Sequence, residues 1–254
     1  MKSRIYRRPE YYEIAFSFVD QARQVRVFEK FIKKFSKRKV HRVLDIACGT
    51  ALQLRELAKQ GYEAYGLDAS AEMLSYLKQA AHQEKLAIHT ICADMTHFTI
   101  PRSFDFAYIM MGSIVYVKSD ERFLTHLDSV AKVLRPGGLY LIENIPLSWS
   151  RPDFFKPQRW SMKRDGISVK AFYQISPHDP LRQIVTQTIS LNVNDHGKRM
   201  TITDLDQIKL IFPEEFKTLV AQNGKFEFLG FFMRDAVRPL KSDDRGNIAL
   251  LRRK

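Results

Sequence analysis

Apolar residues between positions 41 and 143 form short runs that alternate with stretches in which they recur at helical spacing. The short runs predict strands, and the stretches between them predict helices with one buried face. The runs lie at 41–47, 63–68, 86–92, 104–111 and 139–143. Strands that alternate with helices are typical of parallel βαβ units, so the pattern predicts an α/β fold with a doubly wound, mostly parallel sheet.

The chain on either side of this block has a different pattern. Apolar residues at helical spacing, with lysines between them, predict a helical cap over 1–40. After Pro146, alternating polar and apolar residues predict antiparallel strands. These runs lie at 167–175, 181–193 and 200–212. We therefore expect a main domain made of 1–146 and 213–254, closed by a helix and two strands, with an antiparallel β insertion at 147–212.

Acidic residues follow three successive predicted strands. Asp45 ends the first strand and precedes a turn of small residues around Gly49, which opens a helix. Asp68 ends the second strand, 19 residues (68 − 49) past Gly49, near the ~20-residue spacing at which a carboxylate accepts ribose hydroxyls. Asp94 follows the third strand. Since the carboxyl ends of parallel strands meet at one edge, these features predict a site for a nucleoside-type ligand.

Four segments carry a more specific resemblance, which covers roughly residues 40–145. Their order and spacing are similar to the successive motifs of class I S-adenosylmethionine-dependent methyltransferases. The segments are 44–50, 66–74, 93–95 and 134–138. The resemblance implies a Rossmann-like fold, methyltransferase activity and S-adenosyl-L-methionine as the cofactor.

The same resemblance implies which residues contact the cofactor. Asp45, Ala47 and Gly49 would hold its methionine end, while Asp68 would bind the ribose and Asp94 the adenine. The other residues expected at the cofactor site are Tyr11, Cys48, Ala69, Met73, Met95 and Met110.

The loop around Gly49 departs from the family pattern at Ala47 and Ala51, where glycines are usual. The methyl group of Ala51 lies where backbone approaches the cofactor or a helix packs on its strand, so we expect weaker cofactor binding. A nicotinamide dehydrogenase is the rival interpretation for this fold class. It requires a Gly-x-Gly-x-x-Gly turn, which residues 47–52 do not supply.

The sequence favours a small molecule as the methyl acceptor. The net charge of +13 indicates an anionic partner only weakly, because the positive residues are spread along the chain. Residues 110–116 lack the Asn/Asp-Pro-Pro-aromatic loop common in enzymes that methylate base amines, and neither cysteine is placed as a covalent nucleophile. We therefore expect transfer to an O or N atom of a small molecule. An RNA methyltransferase and a non-catalytic S-adenosylmethionine-binding module remain alternatives.

The insertion leaves the predicted sheet just after Glu143, at the edge where the ligand is expected to bind. This position predicts that the insertion forms a lid over the cleft. The alternative is that the insertion forms a dimer interface. Its aromatic residues either line a substrate pocket or form the insertion's own core. They include Trp149, Phe154, Phe155, Trp160 and Tyr173. Trp160 and Tyr116 are the expected substrate contacts, and Tyr116 and Glu143 are candidates to orient or deprotonate the nucleophile. His126, inside a helical pattern, is expected at the surface.

Cysteine usage and hydropathy suggest the cellular setting. Cys48 and Cys92, both in apolar surroundings, predict two buried, reduced thiols rather than a disulfide or a multi-cysteine zinc site, and we expect no metal. No apolar run approaches the ~18 residues of a membrane span, and the charged N-terminus lacks the apolar stretch of a secretory signal. We expect a cytoplasmic protein that is a monomer or a homodimer.

Overall fold

The strands of the computed structural model follow the predicted βαβ order. The structure describes residues 3–148, 153–244 and 246–254. The strands of the central sheet are β1 (Arg42–Ile46), β2 (Glu63–Asp68), β3 (Ile88–Cys92), β4 (Phe104–Ile109), β5 (Leu134–Glu143), β10 (Phe226–Met233) and β11 (Asn247–Arg253). Their order in space is β10-β11-β5-β4-β1-β2-β3. Strands β1 to β5 pair in parallel, whereas β11 and β10 are antiparallel, which confirms a mostly parallel α/β sheet.

Helices cover both faces of this sheet and leave its carboxyl edge open to the connecting loops. They are α1 (Pro9–Ala15), α2 (Gln21–Phe35), α3 (Leu52–Lys59), α4 (Ala71–Gln83), α5 (Asp120–Val133) and α6 (Pro213–Asn223), with a short 3-10 helix at Ser113–Val117. Ser70 caps α4 by accepting from the Met73 amide. The N-terminal helical pattern is divided in two, because the Asp20 side chain caps a new helix by accepting from the Arg23 amide.

The insertion forms a second, antiparallel sheet with one strand more than the sequence predicts. Its strands, in spatial order, are β6 (Gln158–Arg164), β7 (Ile167–Asp179), β8 (Ile184–Asp195) and β9 (Lys198–Lys209). Strand β6 was missed because only Trp160 and Met162 stand out among its polar residues. A hairpin turn joins β8 to β9 through His196 and Gly197, both at positive φ. Trp149 lies outside the described residues.

The N-terminal segment, residues 3–19, joins the insertion to the central domain. Apolar residues of this segment pack on the inner face of the insertion sheet. The contact involves Ile5, Tyr11, Ile14 and Ala15 on one side and Val169, Ala171, Leu191 and Val193 on the other. The Asp204 carboxylate on β9 accepts hydrogen bonds from Ser3 Oγ and from the amides of Arg4 and Ile5. The segment is therefore anchored to the insertion at its start, by residues 3–5, and along one side of α1.

Glu13 ties the same segment to the central domain. Its side chain is buried, with 5% exposed, and forms ion pairs with Arg55 of α3 and Arg164 of β6, at 2.9 Å each. The hydroxyl of Tyr76 in α4 donates to the same carboxylate at 3.1 Å. One carboxylate thus holds together α1, the first two helices of the βαβ block and the insertion.

Two predictions about burial are wrong. His126 is fully buried between α5 and β5, where its Nδ1 donates to the Met95 carbonyl and its Nε2 accepts from the Tyr140 hydroxyl. Burial lowers the pKa of His126 to about 4, so the ring is neutral at physiological pH. Cys92 is exposed, because β3 is the edge strand of the sheet and the thiol lies at its open end. Cys48 is buried, as expected.

Candidate active site

The loop between β1 and α3 curls tightly at the carboxyl edge of the central sheet. Ala47, Gly49 and Ala51 all have left-handed backbone angles, with φ values of 55°, 54° and 56°. Glycine adopts this conformation freely, whereas an alanine in it costs roughly 1–2 kcal/mol. The two departures from the family glycines therefore keep the backbone path that glycine would take. The methyl group of Ala51 is buried at the start of α3.

Asp68 holds this loop in place from the end of β2. Its Oδ2 accepts from the Gly49 amide and its Oδ1 from the Ser70 amide, both at 2.8 Å. Asp45, at the end of β1, is only 2% exposed. Burial raises the pKa of both carboxyl groups, and for Asp68 the backbone amides that it accepts from offset part of that rise. Two acids therefore flank the loop in a buried setting, where their interaction with a bound hydroxyl group or cation is stronger than it would be in water.

A cavity of about 50 Å³ opens beside this loop. The wall facing away from the sheet comes from Tyr12, Phe16 and Val19 of the N-terminal segment. The other lining residues are Asp45, Ala47–Gln53, Met110, Met111 and Ser113. No described residue of 147–212 lines this cavity, so its immediate cover is the N-terminal segment, with the insertion packed behind it.

Some residues expected at the cofactor site line this cavity, namely Asp45, Ala47, Cys48, Gly49 and Met110. Cys48 contributes backbone rather than a reactive thiol. Its Sγ packs against Gly66 of β2, where an added Cβ would lie 2.9 Å from the sulfur. Burial raises the pKa of the Cys48 thiol well above its usual range, so the side chain is not a nucleophile at neutral pH.

Other expected residues lie elsewhere. The Tyr11 hydroxyl donates to Asp195 of the insertion at 2.9 Å, and the next residue, Tyr12, faces the cavity instead. Neighbouring side chains on a helix point ~100° apart, so only one of the two tyrosines reaches the cavity. The Asp94 carboxylate is occupied by Thr96 and by Arg122 Nη2, which lies 3.0 Å away. Ala69, Met73 and Met95 lie around α4 and α5 and are not among the lining residues.

Glu143 supports the turn that follows β4. It is 2% exposed, and its Oε2 accepts from the Met111 amide at 2.6 Å. Met111 itself has a left-handed φ of 57°, a conformation that the buried carboxylate helps to hold. Burial raises the pKa of Glu143. The side chain thus positions Met111 at the cavity wall, rather than standing free as a base.

Trp160 and Tyr116 occupy different places. The indole Nε1 of Trp160 donates to the Ala15 carbonyl at 2.6 Å, and its ring packs on Phe16, with ring centroids 5.6 Å apart. Trp160 thus supports the cavity wall from behind. Tyr116 lies on the 3-10 helix three residues past Ser113, which lines the cavity. Its hydroxyl contacts the side chains of Tyr6 and Gln187.

Sequence reasoning missed the aromatic wall of the N-terminal segment. Residues Tyr12, Phe16 and Val19 recur at i, i+4 and i+7, which is the spacing of one helix face. The stripe was readable in the sequence, although α1 ends at Ala15, so Phe16 and Val19 reach the cavity from the turn that follows the helix. The described residues contain no group of three or more His, Cys, Asp or Glu side chains arranged to hold a metal ion. Nor do they contain a helix long and apolar enough to cross a membrane.

Comparison with known proteins agrees with this geometry. Residues 43–138 match the family described as "Methyltransferase domain". The chain is 28% identical over 193 residues to dTDP-3-amino-3,4,6-trideoxy-alpha-D-glucopyranose N,N-dimethyltransferase of Streptomyces venezuelae, covering 74% of this chain and 76% of that protein. Other curated methyltransferases match over 42–51% of their own length.

Solved structures extend the similarity over nearly the whole chain. An S-adenosylmethionine-dependent methyltransferase from Clostridium acetobutylicum superposes with a TM-score of 0.79, at 17% identity and 95% coverage of both chains. S-adenosylmethionine-bound CalS10, an amino pentose methyltransferase from Micromonospora echinaspora, gives 0.71 at 15% identity, covering 92% of this chain and 91% of that one. At these identities the superpositions bear on the fold, including the antiparallel sheet beside the central one.

Proposed function

Because this chain belongs to the class I S-adenosylmethionine-dependent methyltransferases, we propose that it transfers the cofactor's methyl group to a nitrogen or oxygen atom of a small molecule. The observation that carries the proposal is the Asp68 carboxylate, which accepts from the Gly49 amide in the loop that lines the cavity. The name of the Streptomyces venezuelae relative, an N,N-dimethyltransferase of an amino sugar, favours nitrogen.

The cofactor is S-adenosyl-L-methionine, and the residues around the cavity suit its parts. We assign the methionine end to Asp45 and the backbone of 47–51, which line the cavity. We assign the ribose hydroxyls to Asp68, which does not line the cavity but accepts from the Gly49 amide of that loop. Met110, at the end of β4, belongs beside the sulfonium. Asp94 reaches adenine only if it shares its carboxylate with Arg122.

The bound cofactor supplies an activated methyl group, so the protein's task is to hold the acceptor atom in line with it. Positioning of this kind contributes up to roughly 7–11 kcal/mol in ideal cases. Burial raises the pKa of Tyr116 to about 12, so this phenol is protonated at neutral pH and orients an acceptor instead of deprotonating it. A neutral amine needs no base to attack, which again favours nitrogen.

The closed outer side of the cavity also favours a small methyl acceptor. Tyr12 and Phe16 close its outer side, and Glu13 anchors their helix to α3 and to strand β6 of the insertion through ion pairs. A folded nucleic acid needs an open groove to reach the cofactor, whereas a small metabolite is able to enter a cavity that is closed on its outer side. We therefore give the net charge of +13 no weight in the choice of acceptor.

The proposal is tested by incubating the protein with methyl-labelled S-adenosylmethionine and a cell extract separated into RNA and small-molecule fractions. We expect label in the small-molecule fraction and none in RNA. Label confined to RNA would support the RNA alternative, and label in neither fraction, with cofactor binding intact, would support a non-catalytic module.

A further inference from the structure

Four hydrogen-bonding side chains from separate segments meet next to the cofactor cavity. Tyr6 comes from the N-terminal segment, Tyr116 from the 3-10 helix after β4, and Tyr173 and Gln187 from strands β7 and β8 of the insertion. We call them the tyrosine–glutamine cluster. Tyr6 also packs edge-on against Tyr12, with ring centroids 5.7 Å apart, and Tyr12 lines the cavity. The cluster is thus continuous with the cofactor cavity.

The hydrogen bonds of the cluster run in one direction. The Tyr6 hydroxyl donates to the Tyr116 hydroxyl at 3.4 Å, and Tyr116 donates to Oε1 of Gln187 at 2.5 Å. At the other end of the amide, Nε2 of Gln187 donates to the Tyr173 hydroxyl at 3.4 Å. A phenol has one proton to donate and two lone pairs to accept with. The oxygen of Tyr6 is therefore left to accept, and the proton of Tyr173 is left to donate.

The three phenols keep their protons at neutral pH. Burial is the main cause that raises the pKa of Tyr6, Tyr116 and Tyr173, for Tyr116 to about 12. All three side chains are nevertheless only half-buried by surface exposure, so solvent reaches the cluster. Oriented, uncharged hydrogen-bonding groups that solvent reaches suit an uncharged polar ligand.

Gln187 is out of place in the pattern of its strand. Inward-facing positions of β8 alternate as Val185, Gln187, Ile189, Leu191 and Val193, and Gln187 is the polar exception, with 7% exposed. Burial of an amide in place of an apolar side chain costs free energy unless its hydrogen bonds are made. Packing of the two sheets alone therefore does not account for a glutamine at this position.

We propose, resting on the function proposed above, that the tyrosine–glutamine cluster binds the methyl acceptor and that Gln187 is its positioning residue. The acceptor places a hydrogen-bond donor on Tyr6 and an oxygen or nitrogen lone pair on Tyr173. Gln187 acts through the phenols, because its amide fixes which hydroxyl donates and which accepts. The insertion thereby contributes to acceptor choice through β7 and β8, without lining the cofactor cavity.

The test compares Gln187→Glu with the wild type, using serial dilutions of the small-molecule extract fraction that takes up methyl label. A carboxylate accepts but does not donate, so Tyr173 turns its proton toward residue 187 and loses it for the acceptor. We expect the half-saturating amount of this fraction to rise at least tenfold, while the dissociation constant of S-adenosylhomocysteine changes less than twofold. Gln207→Glu on the neighbouring strand β9 is the matched control, because Gln207 is exposed.

Tyr173→Phe removes a single oxygen atom, and this variant replaces Gln187→Glu in the test if the Gln187→Glu protein does not fold. It is expected to raise the half-saturating amount in the same way. Unchanged acceptor saturation in a folded Gln187→Glu or Tyr173→Phe protein overturns the role of the cluster. A parallel loss of S-adenosylhomocysteine affinity also overturns it, since the residue would then support the cofactor site. Failure of the wild type to label any small molecule refutes the proposed function itself.

Discussion

The two sheets of this protein carry their polar side chains in opposite ways. In the central sheet, Asp45 and Asp68 stand at the ends of apolar strands, where the connecting loops form a cavity. In the insertion, Gln187 and Asp204 stand in the middle of long strands, on the face that packs against the rest of the chain. In many α/β proteins the ends of the strands form the binding site. The role of a polar residue in the middle of a strand, in contrast, depends on which residues of other elements pack against it.

The N-terminal segment joins these two regions, and Glu13→Ala tests how strongly. The change leaves Arg55 and Arg164 without their shared partner, and breaking a buried pair in this way costs about 3 kcal/mol. We expect a loss of unfolding free energy near that size in urea titration, with faster release of S-adenosylhomocysteine. Glu10→Gln, on the same helix and without such ion pairs in the described contacts, should leave both quantities near the wild-type values. Equal effects of the two changes would contradict the role of Glu13.

Asp68→Ala tests the central-sheet side of the comparison. The change removes the acceptor for the Gly49 and Ser70 amides and, in the proposed function, for the ribose hydroxyls. Loss of two charge-assisted hydrogen bonds of ~1.5 kcal/mol each predicts a roughly 100-fold weaker dissociation constant for S-adenosylhomocysteine by calorimetry. Glu214→Ala, at an exposed position of α6, is the control. Unchanged affinity in the Asp68 variant would remove Asp68 from the cofactor site.

Acid should weaken the central domain through His126. Its folded pKa of about 4 lies below the ordinary value of 6.5, so the unfolded chain takes up the proton first. Stability is therefore full above pH 6.5, falls as the pH drops toward 4, and levels off below that. Between pH 7 and 5 we expect His126 to account for a loss of roughly 2 kcal/mol. His126→Gln should remove this part of the pH dependence, while His178→Gln, at an exposed position of the insertion, should retain it.

The smallest effect is expected from Tyr11→Phe. The change removes the hydrogen bond to Asp195 on the insertion side and touches nothing that lines the cavity. S-adenosylhomocysteine should bind within twofold of the wild-type affinity, whereas Tyr12→Ala opens the cavity wall and should weaken binding several-fold. A larger loss at Tyr11 than at Tyr12 would show that the family-based assignment of Tyr11 was the better one.

The central sheet was predictable because its signals are local. Apolar runs, the turn around Gly49 and the acids that follow each strand lie within a few residues of one another, and the structure places the strands and this turn as expected. The burial of His126 was not predictable, since its partners Met95 and Tyr140 come from other elements. Long-range pairing of this kind leaves no periodic trace in the sequence.

The acceptor side was less predictable for the same reason. Tyr116 was singled out from its place after β4, but its contact with Gln187 joins residues 71 positions apart. Trp160 was expected in a pocket because aromatic residues often line one, yet it supports Phe16 from behind. The sequence showed that an aromatic-rich insertion follows β5, and only the fold shows which of its side chains reach the central domain.

The central claim is that one region holds the cofactor and the other selects the acceptor. The most direct measurement determines, for Asp68→Ala and Gln187→Glu side by side, the dissociation constant of S-adenosylhomocysteine and the half-saturating amount of the methyl-accepting small-molecule fraction. We predict that Asp68→Ala weakens S-adenosylhomocysteine binding roughly 100-fold, whereas Gln187→Glu raises only acceptor saturation. If both variants impair both quantities to the same extent, cofactor and acceptor are not held by separate regions and the account is wrong.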